Sequence, residues 1–222
     1  MNKRKMLIVA LVAIVCLCMG AVDAVIQPGY AAKSAVKLAL FLCLPVLYAV
    51  VCRDGTLKEV IVPDRKGIAF AALTGAAVYV IVLGAYLIFR NVFDFSALTS
   101  SLTSTTGVSK ENFLWVALYI SFVNSLLEEY FFRGFAFLTL KKQAGRRFAY
   151  IFSAAMFALY HIAMMIGWFS WIVIALALAG LFVGGLIFNR FDEKYGNIYM
   201  SWLIHMFANF ATNTIGFMLF GA

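Results

Sequence analysis

The sequence predicts an all-α protein, a polytopic bundle of about seven membrane-spanning helices with room for an eighth. Three observations predict it. Of the 222 residues, 64% are hydrophobic and only 13% are charged, against about half and about a quarter in ordinary soluble domains. The apolar residues come in runs near the roughly 20 residues that about 30 Å of hydrocarbon demands, and not in short alternating strands, which argues against a β-barrel. The Lys and Arg residues gather between these runs, mostly in every second connection. The formal charge of +8 has no basic helix or arginine-rich tract behind it, so it reads as topological and nucleic acid is excluded as a partner.

Taken in order, the spans are residues 6–22, 35–51, 67–89, 112–135, 148–166, 169–188 and 198–219. The fifth and sixth are separated by a short turn at Gly167 and Trp168 and form a helical hairpin. The eighth helix would be a short interfacial one in residues 93–110, a stretch rich in Ser and Thr that keeps Phe93, Phe95 and Leu98, because such a mixture suits the membrane surface. Cytoplasmic loops carry the excess of Lys and Arg. A cytoplasmic N-terminus puts Lys3, Arg4, Lys5, Arg53, Lys58, Arg65, Lys66, Lys141, Lys142, Arg146, Arg147, Arg190 and Lys194 on that side, and leaves Lys33, Lys37, Arg90 and Lys110 on the other. An odd number of spans then makes the C-terminus extracytoplasmic. The first span also has the form of a cleavable signal peptide, with a small-residue end near Ala21 and Ala24, but its apolar stretch exceeds the roughly 7–15 residues of a signal core, so a retained helix is preferred. Cys16, Cys18, Cys43 and Cys52 lie in or beside the first two runs without zinc-ligand spacing, and read as small packed or lipid-facing thiols. Residues 1–222 form one transmembrane domain, with 1–111 of unassigned role and 112–222 carrying the polar groups of interest.

Those polar groups are the main functional signal. An ionisable side chain inside a span costs about 2.5–3.5 kcal/mol on insertion scales, so it needs a reason. The fourth span carries Glu128, Glu129 and Arg133, and the chain's two histidines, His161 and His205, stand within the fifth and seventh. Residues four apart share a helix face, so Glu129 pairs with Arg133, while Glu128 is turned by about 100°. Glu128 is then left without a local basic partner and is suited to proton transfer. Ser121, Asn124 and Ser125 precede it as a polar stripe on its side. Phe157, one turn before His161, walls a pocket around that histidine, and Asn209 and Asn213 continue a polar ridge from His205. A satisfied core histidine and helix-bridging asparagines are the bland accounts of each element alone. Together, a carboxylate, two histidines and an amide on three helices are the parts of a water-activating hydrolase.

Three short motifs stand in order along the chain: Glu-Glu-x-x-x-Arg at Glu128, Glu129 and Arg133, Phe-x-x-x-His at Phe157 and His161, and His-x-x-x-Asn at His205 and Asn209. With Gly134 and Phe135 after the arginine, the C-terminal half resembles the CPBP family of intramembrane proteases, the group named for CAAX proteases and bacteriocin-processing enzymes and also called Abi. The resemblance implies an endopeptidase similar to the type II CAAX prenyl proteases, cleaving near the cytoplasmic side of the membrane. It further implies that Glu128 and His161 activate the attacking water while His205 and Asn209 hold the oxyanion. The family has been called metalloprotease, and zinc bound through Glu128, His161 and His205 is the alternative; without the His-Glu-x-x-His spacing of zincins, a mechanism with no metal cofactor is preferred. The expected partners are membrane lipid and a peptide or membrane-protein substrate, with oligomeric state open. Two other functions compete: a non-catalytic immunity or regulatory partner, and a proton-coupled transporter, the latter disfavoured because no internal repeat is seen. A hydrolase further requires that Glu128, His161, His205 and Asn209 meet in one cavity, expected to open toward the cytoplasmic half, with Glu129 turned away toward Arg133.

Overall fold

The computed structural model describes residues 3–92, 103–104, 107–167 and 169–221. Among these residues there is no strand. The helices are α1 (Lys3–Ile26), α2 (Tyr30–Val51), a single turn α3 (Thr56–Glu59), α4 (Ile68–Phe89), α5 (113–144), α6 (Arg146–Met165), α7 (Trp171–Tyr195) and α8 (Tyr199–Phe220). Six of them, α1, α2, α4, α6, α7 and α8, are long and apolar enough to cross a membrane. They correspond to six of the seven expected spans. Most of the expected interfacial helix at 93–110 lies outside the described residues.

The fourth expected span differs from the rest in kind. It forms a helix but runs on past Phe135 to Ala144, because Lys141, Lys142 and Gln143 are good helix formers and nothing stops the helix before Gly145. It is the centre of the bundle: all ten residues from Tyr130 to Thr139 are buried, and α1, α2, α3, α6, α7 and α8 all pack on it. A helix that carries three charged groups is tolerated inside a membrane protein when other helices, and not lipid, surround it. Phe131 stacks on Phe41 of α2 with ring centroids 4.4 Å apart, and Phe132 meets Phe157 of α6 at 5.3 Å. The outer helices keep apolar faces outward, with Leu17, Leu47, Val50, Leu73, Val80 and Ile88 exposed.

Two stretches of α5, Tyr119–Asn124 and Tyr130–Thr139, are π-helical, and they flank one short α-helical segment, Ser125–Glu129. Such insertions in an α-helix concentrate at functional sites because each shifts the angular phase of the residues beyond it. Here they bracket Glu128 and Glu129. Close helix approach elsewhere rests on small residues, as is usual without a hydrophobic force between helices in lipid. At Gly75 of α4 a Cβ would lie 2.5 Å from the ring of Phe207, so α8 reaches α4 only because glycine is there.

Candidate active site

The site forms where α2, α5, α6 and α8 meet, near the middle of α5. Glu128 is 2% exposed and its two carboxylate oxygens face different partners. Oε1 accepts from Lys37 Nζ of α2 at 2.5 Å and from Asn124 Nδ2 at 3.0 Å, while Lys37 also donates to Asn124 Oδ1 at 2.6 Å. The Lys37 ammonium is itself buried and lies over the rings of Phe41 and Tyr160, at 5.2 and 5.1 Å from their centroids. Glu128 therefore has a basic partner, and the expectation that it lacked one is corrected. A partner on the same helix was the only kind that helix periodicity could reveal; this one comes from α2.

The other oxygen, Oε2, faces two imidazoles. His161 Nε2 lies 3.9 Å away and His205 Nε2 3.8 Å away. These gaps exceed a direct hydrogen bond, but a water at about 2.8 Å from each flanking atom closes either one. The state of each ring follows from its second nitrogen. His161 Nδ1 lies 2.7 Å from the carbonyl oxygen of Phe157, which can only accept, so Nδ1 donates and the neutral ring keeps a bare Nε2 toward Glu128. That carbonyl is free because α-helical bonding breaks at this point: the backbone N–H of His161 bonds Ala158 O at 3.0 Å. His205 Nδ1 donates to Glu129 Oε1 at 2.7 Å.

Glu129 thus does two things, where only one was expected. Its Oε2 is 3.1 Å from Arg133 Nε, an ion pair without hydrogen-bond alignment, and its Oε1 holds His205. Both residues are fully buried. The Arg133 guanidinium sits between the rings of Phe157, at 4.0 Å, and Phe188 of α7, at 5.0 Å, which compensates in part for the hydrogen bonds it lacks among the described residues. Phe157 also touches both histidines, with centroids 4.8 Å from His161 and 6.1 Å from His205. The expected wall beside His161 is there, and it is shared.

Asn209 lines the same cavity, with one of its amide donors given to Ile120 O of α5 at 3.1 Å and one remaining. The stripe of Ser121, Asn124 and Ser125 is split: only Asn124 reaches Glu128, while Ser125 receives Trp202 Nε1 at 3.1 Å and Ser121 receives Asn213 Nδ2 at 3.0 Å, tying α5 to α8. Below Glu129 a second buried cluster fastens α7 to α8, with Ser201 Oγ donating to Asp192 Oδ2 at 2.6 Å. Among the described residues no group of three or more His, Cys, Asp and Glu side chains has the geometry to hold a metal ion.

Glu128, His161, His205 and Asn209 all line one cavity of about 890 Å³, within the roughly 300–1,000 Å³ of ligand clefts. If the Lys- and Arg-rich loops are cytoplasmic, its lining lies away from the cytoplasmic half toward which it was expected to open. Its walls are Tyr30 and Lys33 of α2, Ile81 to Phe89 of α4, and Val173 to Gly180 of α7, all in the half of the bundle away from the loops rich in Lys and Arg. At 1.5 Å per residue Glu128 is about 24 Å from Ala144 at the basic end.

Fold and cavity together define a multi-pass membrane protein with a cluster of polar groups lining a ligand-sized cavity inside its helical bundle. The comparison of the chain with protein families then says which kind: residues 110–211 match the family described as Rce1-like, type II CAAX prenyl endopeptidase Rce1-like. The resemblance read from the three motifs is borne out over that region, and the region is similar to peptidases that work in membranes. No curated protein and no solved structure matches the chain.

Sequence reasoning missed Lys37 and the Glu129–His205 bond. The rule that flags Glu128 applies equally to Lys37, which stands inside the apolar run 35–51; near the end of a run, a lysine that snorkels to the interface is the competing account, and it places Lys37 among the loop charges. No sequence signal links Glu129 to His205, since their pairing depends on how α8 lies across α5.

Proposed function

We propose that the protein is an intramembrane endopeptidase that hydrolyses a peptide bond of a membrane-associated polypeptide with a water held by Glu128 and His161. The observation that carries this reading is the convergence of Glu128 Oε2 with the Nε2 atoms of His161 and His205 at 3.9 and 3.8 Å. Glu128 Oε2 and the bare His161 Nε2 accept the two hydrogens of one water, which leaves its oxygen lone pair aimed into the cavity. That oxygen bonds to the scissile carbonyl carbon as a proton passes to Glu128. The charge that develops on the carbonyl oxygen is held by the remaining N–H of Asn209 and by the His205 ring, which Glu129 orients through Nδ1. When the C–N bond breaks, the proton on Glu128 goes to the leaving amine. A general base contributes about 10²–10⁴ in rate and an oxyanion donor about 10²–10³.

Lys37 supports this chemistry by offsetting the Glu128 charge while occupying only the oxygen that does not face the water. It also weighs against zinc. A divalent cation held by Glu128, His161 and His205 would sit beside a buried ammonium already 2.5 Å from that carboxylate, and the three side chains lack ligand spacing. The residues do not fit a resident metal, so no step runs through one.

The test is genetic and chemical. Membranes from cells carrying wild-type protein, Glu128→Gln, or a deletion are compared for accumulated precursors. Glu128→Gln is nearly isosteric and leaves an acceptor for Lys37; it should match the deletion. Wild-type processing by Glu128→Gln would refute the reading and favour a non-catalytic partner protein.

A further inference from the structure

Three features of the cavity bear on what can enter it, and none of them depends on the chemistry at Glu128. Its lining residues from α2, α4 and α7 fall in one half of the bundle. From α2 they are Tyr30, Lys33 and Lys37, near the start of that helix, and from α4 they begin only at Ile81. From α7 they stop at Gly180, which leaves the last 15 residues of that helix, toward Tyr195, outside the cavity.

The second feature is a slot between α4 and α7. At the basic end these helices touch: Phe70 and Phe191 meet edge to face at 5.5 Å, and a Cβ on Gly67, the residue before α4, would come within 2.6 Å of the ring of Tyr195. Toward the other end they part, with the cavity between Ile81–Phe89 on one side and Val173–Gly180 on the other. Among the described residues the slot is a wedge, shut at the basic end and open at the opposite one. Its walls there are apolar and aromatic, with Ile81, Val82, Tyr86 and Phe89 on the α4 side and Val173 and Leu176 on the α7 side.

The third feature is the floor. Beneath Glu128 lie Glu129, Arg133, Asp192 and Ser201, all fully buried, so the packed core seals the way from the basic loops to the site. Lys and Arg mark the cytoplasmic side. The basic end carries Lys58, Arg65, Lys142, Arg146, Arg147 and Lys194, while at the mouth Lys33 is paired with Asp23.

From these we infer that the site is loaded from the extracytoplasmic face, through the open end of the α4–α7 wedge, by an apolar stretch of a membrane-bound polypeptide that has already been translocated. A soluble cytoplasmic tail does not reach Glu128. The substrate class rests on the endopeptidase reading; the side of access does not, and the two fail separately.

Sidedness is tested by thiol modification. In a protein whose four cysteines are replaced by alanine, Thr212→Cys and Ala177→Cys place single thiols in the cavity, and Arg147→Cys places one in a basic loop. A membrane-impermeant cationic thiol reagent is applied to sealed right-side-out and inside-out vesicles. Loss of free thiol at Thr212→Cys and Ala177→Cys is expected in right-side-out vesicles, and at Arg147→Cys only in inside-out ones. Modification of the cavity thiols only from the face that modifies Arg147→Cys, or from neither face, overturns the inference, as does modification of Arg147→Cys in right-side-out vesicles. None of these results depends on whether Glu128 is catalytic, which the Glu128→Gln comparison decides.

Discussion

Replacing Lys37 by Met tests the pair on which the site is built. The side chains are similar in length, so packing against Phe41 and Tyr160 is largely kept while the ammonium is removed. Among the described residues Glu128, 2% exposed, then keeps only Asn124 Nδ2, at 3.0 Å, as a close partner for Oε1. Breaking a buried ion pair from one side costs about 3–5 kcal/mol, because the remaining charge stays desolvated. Glu128→Gln in the same protein removes that charge too, so the double variant should recover much of the loss. The coupling between the two positions should fall toward the upper part of the roughly 0.5–3 kcal/mol seen for residues in contact. Denaturant unfolding of the purified protein in detergent, with wild type, both single variants and the double variant, reads it directly. A Lys37→Met protein as stable as wild type, or effects that simply add, would mean that Lys37 does not hold Glu128. By the same reasoning Glu128→Ala strands the Lys37 ammonium and should destabilise, which makes Glu128→Gln the better catalytic probe.

Three further outcomes are expected. Glu129→Ala and Arg133→Ala should each lower stability by about 3–5 kcal/mol in thermal or denaturant unfolding; the protein that folds with Glu129→Ala should also lose processing, because His205 Nδ1 loses its acceptor, and wild-type stability in either variant would refute the pairing. Treatment with a strong zinc chelator should leave precursor processing unchanged in isolated membranes, and loss that zinc restores would overturn the mechanism without a metal. Gly75→Leu should weaken the α4–α8 contact by forcing Phe207 aside, at about 1–3 kcal/mol for an overpacked position, whereas Gly84→Leu, where a Cβ meets open space, should be close to neutral in the same melt.

The helices were legible because a bilayer imposes one length and one polarity on whatever crosses it, so runs such as 67–89 and 198–219 declared themselves within a few residues of α4 and α8. Glu128, His161 and His205 were legible for the converse reason, as costly groups in apolar surroundings. What stayed hidden depends on contacts between distant helices. Lys37 is 91 residues from Glu128 and His205 is 76 from Glu129, and no periodicity relates such positions. The π-helical turns of α5 were hidden too, since a phase shift within a continuous helix leaves no break in the apolar pattern, and with it went the separation of Asn124 from Ser121 and Ser125. The direction of the cavity was hidden even though counting from Arg146 places His161 deep, because the side a pocket opens to is decided by where α4 and α7 touch.

The bond from Lys37 to Glu128 also bears on how the chain can be assembled. Taken alone, α5 would bring three charged side chains into hydrocarbon at about 2.5–3.5 kcal/mol each, and only Arg133 and Glu129 compensate one another within it. The cation that balances Glu128 arrives on α2, made and inserted before α5 leaves the ribosome. The early helices thus act as a receiving berth for the central one, and residues 110–211, expressed without them, would have to insert with an uncompensated carboxylate at the heart of the bundle. What looks in sequence like a self-contained C-terminal half is, in biogenesis, the second instalment of a single unit.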